Sequence, residues 1–220
     1  MAQPRQCSAG GVRPLGSPRT AYAAVAVRRL NAFRRPAHGR FATFETMNRN
    51  GVPTVFGVLG AVVRKDCEPQ WYRVQLPQRP NGVTGWVRAG DVDVAPVHTR
   101  IVVDVSRRQL TFFRNGRLSL STTVAVGSPA TPTPTGRFYV NQRLVPEDTS
   151  GPFGPGAIGV SAFSDVLTGW TQGGPIAIHG TNEPSSIGHA VSNGCIRVSN
   201  DVLRRLFGEA LAGTPVIIRP

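Results

Sequence analysis

Three of the four Asn-Gly dipeptides, at 50–51, 81–82 and 115–116, stand between short apolar runs, and this punctuation constrains the fold more than any other feature of the chain. Asn followed by Gly readily takes two successive positive φ values, the backbone that a tight hairpin needs. The 25 Gly and 19 Pro spread over 220 residues extend the same effect. Few windows run long enough without a breaker to make a helix, whereas runs of about four to eight apolar residues between turns suit strands. The length allows two small domains or one medium one, each able to bury a core.

Residues 1–22 mix Pro, Gly, Ser and Arg without periodicity and read as a flexible leader. Residues 23–96 read as a small barrel, built from the apolar segments Tyr22 to Val27, Arg40 to Phe44, Pro53 to Leu59, Trp71 to Leu76 and Gly85 to Val87. Tyr72, Val74 and Leu76 alternate with Trp71, Arg73 and Gln75, as in a half-buried strand. Core packing accounts for Trp71 and Trp86 better than a ligand role does. A connector from Ala95 to Thr99 leads into residues 97–220. There Ile101 to Val105 and Leu110 to Phe113 read as strands, Asn115-Gly116 as a hairpin turn, and Leu118 to Val126 as the returning strand. The proline-stiffened loop GSPATPTPTGRFYV enters a further strand at Phe138. Residues 146–175 are rich in Gly, Pro and Ser and carry Phe153, Phe163 and Trp170, a loop long enough to suggest a function such as the wall of a cleft. One helix is expected, with Ser199 or Asn200 as N-cap and Val202, Leu203, Leu206, Phe207, Ala210 and Leu211 at helical spacing; Gly213 stops it before a closing strand at Pro215 to Ile218. The fold class expected is therefore mainly β with one C-terminal helix.

The formal charge is +13, and Lys65 is the only lysine among the 25 basic residues. The arginines are scattered, with no run of five and none of the basic stripe interleaved with aromatics that nucleic-acid binding usually shows, so the charge reads as attraction to an anionic surface, which wall polymer or membrane fits as well as nucleic acid. No segment reaches the roughly 18 apolar residues of a membrane span. Ala21 to Val27, the nearest candidate for an export signal, is too short.

The chemistry concentrates in IAIHGTN at 176–182 and SNGCIRV at 192–198. In a strand, Ile176 and Ile178 share one face and Ala177 and His179 the other. Likewise, burying Ile196 and Val198 turns Cys195 and Arg197 together toward the opposite side. Pro184 and Gly188 resist a continuous helix and let the chain double back, so that the two side chains can meet. A thiol is mostly protonated at neutral pH, and a neighbouring imidazole that takes its proton makes it a practical nucleophile. Gly194 permits a tight turn whose amides face a developing oxyanion, and Arg197 suits a substrate carboxylate. Taken alone, a Cys after Gly is often a small buried hydrophobe and a lone His a structural one; the pair favours catalysis. Cys7 and Cys67 are free to pair if the protein is exported, leaving Cys195 as the free thiol. His179, His189 and Cys195 fall short of the closely spaced four-ligand set of a structural zinc site, so neither metal nor cofactor is expected.

Two resemblances add to this reading. WYRVQL followed by TGWV resembles the bacterial SH3-like domains attached to wall enzymes. From Ile101 onward, VVDVSRRQLTFF, TPTPTGRF, IAIHGTN and GCIR occur in the order of an L,D-transpeptidase catalytic domain of the YkuD type. That resemblance implies a YkuD-like β-sandwich with Cys195 as nucleophile and His179 as general base, oriented by the Gly180 carbonyl. Ser192 and Gly194 match the motif, and Asn193 stands where the family has a histidine, lending its backbone and a hydrogen bond. It further implies peptidoglycan tetrapeptide stems as substrate, a thioester intermediate, 3-3 cross-links as product, carbapenem-type β-lactams as covalent inhibitors, no cofactor, and an extracytoplasmic setting. Water as acceptor would make the same site a carboxypeptidase. A catalytically weak wall-binding protein is the reading from another class, and a nucleic-acid binder the third.

Overall fold

The computed structural model describes residues 7, 10–169 and 174–220; Trp170 lies outside them. Among the described residues are β1 (Val12–Pro14), β2 (Ala21–Ala26), β3 (Leu30–Arg35), β4 (His38–Phe44), β5 (Val55–Val63), β6 (Pro69–Gln75), β7 (Thr84–Arg88) and β8 (Val92–Val97). These form one antiparallel sheet in the order β4-β3-β7-β6-β5-β2-β8, with β1 also on β5. Then follow β9 (Thr99–Asp104), β10 (Gln109–Arg114), β11 (Arg117–Thr123), β12 (Val126–Gly127), β13 (Gly136–Leu144), β14 (Ala157–Phe163), β15 (Pro175–His179), β16 (Ala190–Ser192), β17 (Ile196–Arg197), α1 (Asn200–Glu209) and β18 (Pro215–Arg219). The second sheet runs β11-β10-β9-β18-β13-β14-β15-β17, and β12 pairs with β16 beside it. Strands therefore change sheet at His98, between β8 and β9. The described residues are mainly β with one α-helix, and no described helix is long and apolar enough to cross a membrane.

The turns follow the dipeptides that announced them. Asn115 and Gly116 take φ of 51° and 77°, both positive as the tight hairpin between β10 and β11 requires. Asn81-Gly82 joins the paired strands β6 and β7. Asn50-Gly51 differs: β4 and β5 are not neighbours, and the turn closes only a single bridge, Met47 to Pro53. The segment read as a leader is also partly fixed. Val12–Pro14 pairs with Gly60–Val62, and Cys7 is disulfide-bonded to Cys67. Periodicity missed these attachments because a three-residue strand is too short to have a period, and a disulfide is a tertiary contact. The expected early segment at Tyr22 to Val27 is strand β2, an interior strand between β5 and β8.

Each sheet has its own core. Ala24, Leu30, Phe56, Val74, Leu76 and Val87 fill the first. Trp71 is buried on the other face, edge-on to Phe33 at 5.5 Å and beneath the Arg88 guanidinium at 4.9 Å, which is why both faces of β6 are covered. In the second core, Ile101, Val103, Phe112, Ile158, Ile178 and Ile196 pack with Leu203 and Leu206 of α1. Each such side chain contributes about 1.5–3 kcal/mol on burial, so the apolar stripe of α1 fixes the helix over the strands that carry the chemistry. Polar contacts join the two sheets. The buried Tyr139 hydroxyl donates to the Val55 carbonyl at 2.9 Å, and Gln75 Nε2 donates to the Arg137 carbonyl at 2.6 Å. Asn81 donates to the Phe163 carbonyl at 2.7 Å and accepts from the Phe163 amide at 2.9 Å.

Candidate active site

His179 ends β15, and β17 runs parallel to that strand with Ile178 opposite Ile196 and His179 opposite Arg197. Ile176, Ile178, Ile196 and Val198 all lie in the core, so alternation turns His179, Cys195 and Arg197 to the other face. One residue back from Ile196, Cys195 lies level with Ala177, two residues from His179. A strand spacing of about 4.8 Å and a rise of about 3.3 Å per residue put their Cα atoms roughly 8 Å apart on the diagonal.

The imidazole is held from several sides. Its Nδ1 lies 2.6 Å from the Gly180 carbonyl oxygen. A carbonyl only accepts, so Nδ1 carries the proton and Nε2 keeps its lone pair. The Phe153 ring stands edge-on to it, with centroids 4.9 Å apart. Burial pushes the His179 pKa down to about 4, with the Arg197 charge adding to the effect and the Gly180 hydrogen bond opposing it. Burial pushes the Cys195 thiol up, against the opposing effects of the Ala177 amide and the Arg197 charge. Both groups are consequently neutral at rest. Cys195 is the free cysteine, partly exposed, and its thiol points toward the Pro175 carbonyl at 3.9 Å.

The turn before Cys195 is held by one hydroxyl. Ser192 Oγ accepts from the Gly194 amide at 3.1 Å and donates to the Cys195 carbonyl at 2.5 Å. Gly194 has φ of 105°, and a Cβ there would come 3.0 Å from Ile176 Cδ1, so only glycine fits without strain. The Ser192 carbonyl accepts from the Ser128 amide and from Thr131 Oγ1, both at 2.9 Å, which ties the threonine-proline loop under the turn.

Residues 98–218 match the family model described as the L,D-transpeptidase catalytic domain, YkuD. The chain belongs to this family. It is 39% identical over 123 residues to the protein of Bacillus subtilis strain 168 named L,D-transpeptidase YkuD, a stretch covering 56% of this chain and 66% of that one. With the protein of the same name from Bacillus licheniformis it shares 36% over 152 residues, 66% of this chain and 84% of the relative. The catalytic domain of an Enterococcus faecium L,D-transpeptidase, solved by NMR, is 27% identical with a TM-score of 0.40, covering 55% of this chain and 96% of that domain.

Within this L,D-transpeptidase domain, three of the expected groups have partners or surroundings that the spacing did not indicate. The Gly194 amide, expected to face an oxyanion, is occupied by Ser192 Oγ; the Cys195 amide is the one that donates to no group among the described residues. Asn193 is exposed, and its side chain makes no hydrogen bond among the described residues, so its backbone is what it lends to the turn. Arg197 is not waiting unpaired: its Nη1 lies 3.0 Å from Glu183 Oε2. His189 is exposed, and no group of three or more His, Cys, Asp or Glu side chains able to hold a metal occurs among the described residues.

The structure also adds residues that sequence reasoning passed over. Ser199 is the N-cap of α1 without a side-chain capping bond, and Asn200 faces the site instead. Its Oδ1 accepts from the Thr181 amide at 2.9 Å. A Cβ on Gly180 would collide with that same oxygen and come within 2.8 Å of Pro155 Cδ. Asn200 and the 153–155 loop thus grip the segment whose carbonyl orients His179. The signal available in the sequence was Asn directly after a capping serine, which reads equally well as a cap; only the packing of α1 against β15 separates the two roles.

Proposed function

We propose that the protein is a cysteine-dependent L,D-transpeptidase acting on peptidoglycan tetrapeptide stems, with Cys195 as nucleophile and His179 as general base. The observation that carries this is a free cysteine directly before the strand that pairs with β15, together with a buried imidazole at the end of β15 whose Nδ1–H is committed to the Gly180 carbonyl. That commitment leaves Nε2 as the acceptor for the thiol proton. As the sulfur attacks the carbonyl carbon of the bond to the terminal D-alanine, the proton passes to Nε2 and the carbonyl oxygen takes the negative charge. The Cys195 amide is the donor we assign to that oxyanion. Collapse returns the proton from His179 to the departing amine of D-alanine and leaves the acyl group on sulfur. An amine from a neighbouring stem then displaces the thiolate to give a 3-3 cross-link. Both groups start neutral in this sequence, so the charge pair forms only during attack.

We read the first sheet as an SH3-like wall-binding module at residues 23–96, preceding a catalytic domain at 97–220. The change of sheet at His98 and the run of consecutive antiparallel strands support that division. An extracytoplasmic setting is supported by the Cys7–Cys67 disulfide, since such bonds persist in oxidising compartments. The net charge of +13 favours anionic wall polymer as a surface partner.

Intact-mass measurement after exposure to a carbapenem tests the nucleophile. The protein should gain one covalent adduct and Cys195→Ala none; an adduct on the variant, or no adduct on the parent, refutes the assignment. Incubation with purified tetrapeptide stems then reads cross-linked dimers against tripeptides, the latter marking water as acceptor.

A further inference from the structure

Glu183 has no part in the chemistry above, yet its carboxylate sits against the arginine next to the nucleophile. Arg197 lies two residues beyond Cys195 on the same face of the chain, and its side chain is 23% exposed against 62% for Glu183. Its Nε is shut off from solvent and has no acceptor among the described residues. An anion arriving from solvent therefore has only the terminal nitrogens to approach, and there Glu183 Oε2 is already 3.0 Å from Nη1. The backbone of Glu183 is fixed: its amide donates to Thr181 Oγ1 at 2.9 Å, and its carbonyl accepts from the Ser186 amide at 3.0 Å and hydroxyl at 2.6 Å. The carboxylate is thus delivered to Arg197 by an ordered loop rather than swept across it by a mobile one.

We propose that Glu183 is an internal stand-in for a substrate carboxylate, capping the open end of Arg197 in the resting protein and yielding it when an anionic ligand enters the site. An ion pair with one partner so exposed is weak, so a carboxylate already positioned by other contacts displaces it readily. In the reading given above, on which this last step rests, the displacing group is a carboxylate of the stem peptide. Glu183 then sets specificity: it weakens binding of every anionic ligand by the cost of its own displacement and leaves neutral ones untouched.

Alkylation of Cys195 in the native chain tests this without reference to peptidoglycan. Iodoacetate and iodoacetamide both transfer a two-carbon group to sulfur with loss of iodide, and they differ in carrying a carboxylate or an amide. The ratio of their rates therefore cancels any change in thiol reactivity. Glu183→Gln should raise the iodoacetate-to-iodoacetamide ratio about two- to fivefold, and in an Arg197→Gln background the same substitution should leave the ratio unchanged. Should the Arg197 variant not fold, acetate serves instead: it should slow iodoacetate, and not iodoacetamide, more strongly in Glu183→Gln than in the parent. A ratio unmoved by Glu183→Gln overturns the proposal. So does a rise that persists without Arg197, or that acetate fails to reverse, since either would make Glu183 only a source of negative field. If the ratio shifts as expected while stem peptides are not turned over, the anion site stands and the substrate reading falls.

Discussion

Lowering the pH should unfold this protein partly through His179. The ring is 5% exposed, and burial holds its pKa at about 4 against 6.5 for the free side chain. Between those values the unfolded chain binds a proton that the folded chain refuses, so stability rises with pH across the window. The contribution is fully present above pH 6.5 and is lost as the pH falls toward 4. A gap of about 2.5 units at about 1.36 kcal/mol per unit corresponds to roughly 3 kcal/mol, a large share of the 5–15 kcal/mol or so that holds a typical domain. Urea unfolding of the parent and of His179→Asn, whose amide does not titrate, should be compared at about pH 7 and pH 4. Carboxylates such as Asp104 and Asp148, held below their usual range by hydrogen bonds, act alike in both proteins and cancel in the difference. The parent should lose about 3 kcal/mol more than the variant over that interval. Equal losses would mean that the folded protein admits a charged imidazole, and would remove the argument that thiol and imidazole are both neutral at rest.

Asn200→Ala should leave the Thr181 amide without its acceptor at a cost of about 1–3 kcal/mol, a drop in Tm of roughly 2–10 °C for a chain of this size. Asn200→Asp keeps the accepting oxygen and adds a charge that the helix N-terminus favours, so melting followed by circular dichroism should find it nearly unchanged; equal losses in the two variants would refute the positioning role. Reducing the Cys7–Cys67 bond, which closes a loop of sequence separation 60, should lower stability by about 2–4 kcal/mol and release β1 from β5. Hydrogen exchange at Val12, Arg13 and Gly60–Val62 that is no faster after reduction would show that strand pairing alone holds this segment.

Much of the architecture was legible because it is local. Asn115-Gly116 dictates its own dihedrals, and the apolar spacing of Val202 to Leu211 dictates a helix, wherever the rest of the chain goes. β3 was not legible: Leu30–Arg35 ends in two exposed arginines, and its strand character comes from pairing with β4 and β7. β8 was missed for the same reason: its second half contains a proline and falls in the Ala95 to Thr99 connector, yet Val92–Val97 pairs along its whole length with β2. Strands of this kind owe their conformation to their neighbours.

The sequence by itself determined that this is a turn-rich β protein carrying a histidine and a cysteine on strand ends that can face one another, because dihedral preferences and side-chain alternation are properties of consecutive residues. Only the tertiary structure decided how those groups are set. Phe153 and the surrounding burial depress the imidazole, Asn200 reaches from the helix to the segment after His179, Ser192 takes the Gly194 amide, and Glu183 meets Arg197. Each of these depends on desolvation or on a hydrogen bond between residues brought together only by folding, and no spacing along the chain records such distances.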